Sequence, residues 1–239
     1  DAAGARVICI NPRGLGGSSP LQALAPYTLQ AMVDDIEAAR QALGYAPWVF
    51  WGMSGGGWLG QIYAHRHPGA LAGLILESIC PCFRVRLADP ACVLSPFYPA
   101  WRETLAQLGL LDLGAHADGQ PEQPTEWLEV DGVGAVFRRH DGPALLVSPV
   151  KVSPDMQRAM PVLFSVDTRA WLPNLRVPTL VLCGTADPIV PIGHARALHD
   201  AILGSRFVAI EGAGHTPTAE RRPELASAVR RFLADLYSR

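Results

Sequence analysis

A serine hydroxyl becomes a useful nucleophile only when a base can take its proton and a third group holds that base in the right tautomer. Three positions in this sequence could supply such a set. Ser54 lies in Gly52-Met53-Ser54-Gly55-Gly56, a G-x-S-x-G pattern. Asp187 lies in Gly184-Thr185-Ala186-Asp187-Pro188, and His215 in Gly212-Ala213-Gly214-His215-Thr216. Small residues suit the first pattern, because a Ser held on a sharp turn brings its flanking strand and helix close together. Read alone, the pattern could be a glycine-rich structural turn. The acid and base that follow it in the chain favour the nucleophile.

These residues need elements that carry them to one place. Trp48–Trp51 is an apolar strand that breaks at Gly52 and leads into a helix presenting Leu59, Ile62 and Tyr63, ending at His67-Pro68. Leu71–Leu76 and Thr179–Cys183 are near-continuous apolar runs of the kind buried on both faces of a sheet. Arg206–Ile210 reads as a further strand, and so does Val7–Ile10, which ends in the turn Asn11-Pro12-Arg13-Gly14. Between these runs lie helical patterns. Thr28 can cap a helix with Leu29, Met32, Val33, Ile36 and Leu43 on one face, stopped by Gly44. Another pattern covers Gly193–Leu203, and a closing helix starts at Pro223 with Leu225, Val229, Phe232, Leu233 and Leu236 aligned. Strands alternating with helices predict an α/β fold with a mostly parallel sheet and flanking helices. In such a sheet the strand C-termini open on one edge, so Ser54, Asp187 and His215 are expected to converge there.

The 239 residues are 49% hydrophobic and 18% charged, which excludes disorder and allows an ample core. A net charge of −2 without any block of like charge argues against nucleic acid or an anionic membrane as partner. The longest stretch without a charged residue or His, Gln41–Ala64, carries Pro47 and six Gly, so it is no membrane span. The cysteines Cys9, Cys80, Cys82, Cys92 and Cys183 are odd in number and irregularly spaced. Reduced thiols in a cytoplasmic protein are the simpler reading.

Residues 79–173 break the alternation. They are rich in Pro, hold Trp101, Trp127 and Trp171, and show only short helical patches such as Arg102–Leu108. A connection this long is expected to be a lid or cap over an active site, here a largely helical one, inserted into a body made of residues 1–78 and 174–239. The three tryptophans could line an apolar pocket, although filling a small cap core is the commoner fate.

Other residues have rival readings. Glu77 ends the Leu71–Leu76 strand and is an alternative acid. His65 and His67 close a helix and suit its dipole, while His116, His140, His194 and His199 have no partner motif. Cys80-Pro81-Cys82 lacks metal-site spacing, and no metal or organic cofactor is implied. Gly14-Leu15-Gly16-Gly17 fails as a dinucleotide fingerprint, since Ser19 stands at the third Gly and Pro20 and Pro26 delay the helix.

Taken together, the segments resemble the α/β-hydrolase superfamily, whose triad runs Ser, then acid, then His. Asn11-Pro12-Arg13-Gly14-Leu15-Gly16-Gly17-Ser18-Ser19 resembles its D-x-R-G-x-G-x-S loop, with Asn where Asp is usual. Gly214-His215-Thr216-Pro217 with Glu220 resembles its G-H-x-P-x-x-E segment. The likeness covers residues 1–78 and 174–239. It implies a capped serine hydrolase with Ser54 as nucleophile, His215 as acid and base, Asp187 as orienting acid and the Gly55 N–H as oxyanion donor. Small molecules or short peptides are the implied substrates.

The resemblance also implies a His-Gly loop that supplies a second oxyanion donor. No such loop occurs in this sequence, which opens at Asp1 on what matches the family's fourth strand. The expectation is that a head of roughly 50 residues is cleaved, unresolved or carried by a companion chain. Two alternatives accompany the general hydrolase. A proline-iminopeptidase-like aminopeptidase fits the opening loop and the cap position. It would need acidic cap residues for a substrate amine, with Glu122, Glu126, Glu129 and Asp131 as candidates, and Gly55 stands where that group has an aromatic residue. A ligand receptor or scaffold that keeps the triad with little turnover is the alternative of another class.

Overall fold

The computed structural model describes residues 5–14, 17–18, 27–111, 125–131, 133–139, 144–149, 162 and 165–238. The chain divides into two compact units, one made of Asp1–Pro81 with Thr168–Arg239 and one of Cys82–Asp167. The divisions fall inside the boundaries read from sequence, so Trp171, expected in the insertion, belongs to the first unit. Its indole ring stacks on His65 with centroids 4.4 Å apart.

The first unit is built on a parallel sheet. Its described strands are β1 (Trp48–Met53), β2 (Leu71–Glu77), β6 (Thr179–Gly184) and β7 (Arg206–Ile210), in the order β1-β2-β6-β7. The register sets Met53 beside Glu77, Glu77 beside Leu182, and Gly184 beside Ile210, so the strand ends form one level edge. Strands β2 and β6 are buried along nearly their whole length, as their continuous apolar runs require.

Helices cover the sheet. Helix α1 (Leu29–Ala42) is capped by the Thr28 hydroxyl, which accepts from the Ala31 N–H, and buries Met32, Val33 and Ile36. Helix α2 (Gly55–Arg66) buries Trp58, Leu59 and Tyr63. A separate cluster joins Ile75, Leu180 and Leu182 to Leu225, Ala228, Val229 and Phe232. The last four belong to the closing helix, Arg222–Tyr237. Helix Ile192–Ala201 lies between β6 and β7 in the chain.

Two expectations are corrected. Val7–Ile10 is not a strand: residues 5–12 have no regular structure, and Val7 is 74% exposed. An apolar run becomes a strand only where a neighbour completes its hydrogen-bond ladder, and among the described residues nothing pairs with it. Arg13 instead ties this segment to α1 through two hydrogen bonds of 2.6 Å to Asp35.

Among its described residues, the second unit is not largely helical. Besides the short helices α3 (Phe83–Leu87) and α4 (Pro99–Gln107), it carries an antiparallel sheet of β3 (Thr125–Val130), β4 (Gly134–Arg139) and β5 (Ala144–Ser148). Trp101, Leu105, Val136, Ala144 and Val147 share one core there, so Trp101 is a packing residue. Trp127 packs on Phe137 across the β3–β4 pair, 5.2 Å between ring centroids. The strands form because one face of each has this helix-backed core to bury, which outweighs weak local patterning. Among the described residues, no helix is long and apolar enough to cross a membrane.

Candidate active site

The level edge of the parallel sheet carries the three candidate residues. Ser54 follows β1 directly and precedes α2, with φ at 50° and ψ at −123°. A non-glycine residue with positive φ is strained, and here two features hold it. Its N–H donates to the Glu77 carbonyl oxygen at 2.9 Å, and its carbonyl oxygen accepts from the Gly57 N–H at 2.8 Å. Gly52 makes the turn possible, because a Cβ at that position would collide with the Gly56 carbonyl.

Asp187 leaves β6 in a tight loop. Its Oδ1 accepts from the backbone N–H groups of Ile189 at 2.8 Å and Val190 at 2.9 Å, which fixes the carboxylate before any partner arrives. His215 leaves β7 in a second loop. The Ala186 N–H donates to the Ala213 carbonyl at 2.9 Å and joins the two loops.

The side chains meet in series. Ser54 Oγ lies 3.0 Å from His215 Nε2. His215 Nδ1 lies 2.9 Å from Asp187 Oδ2 and 3.1 Å from Oδ1. The Asp187 side chain is fully buried and that of His215 is 17% exposed. With its acceptors already facing Nδ1, the carboxylate selects the tautomer that carries a proton there. Nε2 is then an acceptor for the serine hydroxyl.

Glu220 brackets the histidine. Its Oε2 accepts from the Gly214 N–H at 2.6 Å, and its Oε1 accepts from the Thr216 N–H at 2.9 Å and the Thr216 hydroxyl at 2.8 Å. These donors, the Gly214 N–H foremost and then the Thr216 hydroxyl, hold its carboxyl below the ordinary range.

Glu77, the alternative acid, is elsewhere engaged. Its buried carboxylate accepts from Trp51 Nε1 at 2.9 Å and from the N–H and hydroxyl of Thr218 at 3.0 and 2.5 Å, while His215 Nδ1 faces Asp187. Thr218 lies in the short helix Pro217–Glu220 that directly follows the histidine loop. Trp51 and Thr218 carried no sign of such a role in the sequence, since a Trp in an apolar strand reads as core.

The remaining candidates lie apart. Cys183 is buried on β6, and its thiol is pushed up to about 12 by burial first and by the charges of Asp187 and Glu77 next, so it is no nucleophile. His199 Nδ1 lies 2.7 Å from the Ser205 hydroxyl. Glu126 pairs with Arg138 at 2.6 Å, and Glu129 and Asp131 are exposed in the second unit. Glu122, His116 and His140 fall outside the described residues. Among the described residues, no group of three His, Cys, Asp or Glu could hold a metal.

Known proteins resemble this chain in sequence and in fold. Residues 1–117 match the family described as alpha/beta hydrolase fold, and residues 160–237 match the family described as TAP-like protein. Over 106 residues the chain is 34% identical to the proline iminopeptidase of Neisseria gonorrhoeae, which covers 43% of this chain and 34% of that protein. The pimeloyl-[acyl-carrier protein] methyl ester esterase of Sodalis glossinidius is 29% identical over 220 residues, 89% of this chain and 77% of that protein. Among solved structures, an alpha/beta fold family hydrolase from Bacillus anthracis str. Sterne superposes with a TM-score of 0.68 at 16% identity, covering 93% of this chain and 80% of that one. The match to the proline iminopeptidase thus spans about a third of that protein's length.

Proposed function

This chain belongs to the α/β-hydrolase superfamily, and from that premise we propose that it cleaves an ester, amide or small peptide bond through an acyl-enzyme on Ser54. The observation that carries the reading is the 3.0 Å contact between Ser54 Oγ and His215 Nε2, made by a serine held in a strained turn. His215 takes the hydroxyl proton as Oγ attacks the carbonyl carbon, and later gives it to the leaving group. Asp187 keeps the proton on Nδ1 and stabilises the imidazolium as it forms. The negative charge that develops on the carbonyl oxygen falls to the Gly55 N–H, the first residue of α2, where the helix dipole also favours an anion.

The test is turnover of an activated acyl ester by Ser54→Ala. Activity should vanish while the melting temperature holds, and unchanged turnover in that variant refutes the assignment.

The likeness to a proline iminopeptidase favours one sharper reading, an aminopeptidase acting on short peptides. The likeness to a methyl ester esterase favours the other, a carboxyl-ester hydrolase. Prolyl arylamides set against short acyl esters separate them: turnover confined to the amides supports the peptidase. Fluorophosphonate labelling of Ser54 without turnover of either would favour a receptor. The five free thiols, four of them buried, support a cytoplasmic setting.

A further inference from the structure

A buried carboxylate one strand away from the nucleophile has donors on every side and no place in the acyl-transfer scheme. Glu77 is 1% exposed. Three donors surround its two oxygens: the Trp51 indole N–H on Oε2, and the N–H and hydroxyl of Thr218 on Oε1. A set made only of donors suits an anion, which accepts at both oxygens and donates nothing. Burying a charge is costly unless it is fully hydrogen-bonded, so this position calls for some return other than packing.

The connections show what that return is. Through its main chain Glu77 accepts the Ser54 N–H, holding the nucleophile turn from β2. Through its side chain it holds Thr218, three residues beyond His215 and next to Pro217, so the end of the histidine loop is fixed to the same residue. Trp51, three residues before Ser54 on β1, locks the second carboxylate oxygen and thereby the rotamer. One residue therefore carries both ends of the Ser54–His215 hydrogen bond. Displacements of about 1 Å in such a pair are enough to lower reaction rates about a hundredfold.

We infer that Glu77 is a positioning residue: its carboxylate, aimed by Trp51, anchors Thr218 and so sets the distance between His215 Nε2 and Ser54 Oγ. The inference rests on the serine-hydrolase reading for its consequence in rate, and its structural half stands apart from that reading.

Glu77→Gln tests it on the full chain. The glutamine offers one oxygen and one NH2 group. With its oxygen on Thr218, the NH2 faces the Trp51 N–H, donor against donor; turned the other way, it faces the Thr218 N–H. Removing the indole donor with Trp51→Phe lets the oxygen settle on Thr218. The expected pattern is a fall of about tenfold or more in the rate of Ser54 phosphonylation by a fluorophosphonate, read by intact mass, in Glu77→Gln. Trp51→Phe alone should cost at most about threefold, and the double variant should return to within about threefold of the unaltered chain. In ester turnover the loss should fall on kcat with KM held.

A merely structural role predicts the opposite sign of coupling, because two core losses add or worsen each other. A double variant no faster than Glu77→Gln overturns the inference, and so does a Glu77→Gln chain that reacts at the unaltered rate. Amide hydrogen exchange over residues 216–221 supplies a readout independent of activity. It should quicken in Glu77→Gln and slow again in the double variant, and exchange unmoved by either change overturns the anchor. Failure of the serine-hydrolase reading looks different: Ser54 would remain unlabelled, or Ser54→Ala would keep its turnover, whatever the exchange data show.

Discussion

A Cβ placed on Gly184 would collide with the carbonyl oxygen of Ala213. The end of β6 and the loop carrying His215 thus approach too closely to admit a side chain at position 184. That approach lets the Ala186 N–H reach Ala213 and brings Asp187 within bonding distance of His215. Gly184→Ala should push the loops apart. The expected cost is about 1–3 kcal/mol of stability, the usual range for overpacking. A drop of about a hundredfold in kcat/KM should accompany it, because the acid and base separate. Thermal melts with ester turnover check both, and full activity in a destabilised variant would show that the loops relax elsewhere.

Asp187→Asn isolates the tautomer. The asparagine oxygen, in the place of Oδ1, can keep the Ile189 and Val190 N–H groups, which leaves its NH2 in the place of Oδ2, facing His215 Nδ1. An imidazole offered a donor there must accept at Nδ1 and carry its proton on Nε2, where it can no longer take one from Ser54. kcat should fall by about 10³–10⁴-fold, while the fold and the melting temperature are kept. Because Glu77 is held by Trp51 and Thr218, it cannot substitute, and a loss of less than tenfold would reopen its candidacy as the acid.

The residues that meet at the sheet edge were legible because each stands just past an apolar run: Ser54 after Trp48–Met53, Asp187 after Thr179–Gly184, His215 after Arg206–Ile210. Parallel topology does the rest, and it is itself readable from alternation. What holds those residues was not legible. Glu77, Trp51 and Thr218 are far apart in sequence, and no local pattern links a strand-end Glu to a Thr beyond a histidine loop. Val7–Ile10 was misread because strand propensity is a property of a pair, and the partner is not in the pattern. The described strands of the insertion escape the pattern for a different reason. They carry charges among the apolar residues, as in Thr125–Val130, or none at all, as in Ala144–Ser148, so neither helical nor alternating period stands out. The Asp131-Gly132 pair between Val130 and Val133 is the hairpin signal that could have corrected it.

Glu220 is exposed, yet it holds both peptide N–H groups that flank His215. Glu220→Gln keeps one acceptor and loses the other, so the loop should loosen on one side. A fall of about three- to tenfold in kcat with little change in KM is expected, consistent with loss of alignment and not of binding. The carboxyl is held below its ordinary value of 4.5, so the clamp is complete above that value and is lost as pH falls through the folded-state value. The unaltered chain and the variant should therefore differ most near neutral pH and converge in acid. A constant ratio across the acid range would mean that the charge of Glu220 is not what matters.

Glu37 gives a pH dependence of stability away from the site. Its carboxylate accepts from Arg40 at 2.7 and 3.0 Å, from the Tyr63 hydroxyl at 2.7 Å and from Gln41 at 2.7 Å, clasping α1 to α2, the helix that begins at Gly55. These bonds, that of Arg40 foremost, draw its carboxyl down from 4.5 to about 2. The folded value lies below the unfolded one, so the group stabilises the fold fully above about pH 4.5, and the contribution is lost as pH falls toward 2. Glu37→Gln should thus cost about 1–3 kcal/mol at pH 7, and the gap should close progressively between those two values. Thermal melts of both chains at pH 7, near 3.5 and near 2 provide the measurement. A gap of unchanged size at the lowest pH would assign the loss to packing beside Tyr63 and not to the charge. A closing gap also predicts that Tyr63→Phe costs less than Glu37→Gln at neutral pH, since it removes one donor of four and leaves Arg40 in place.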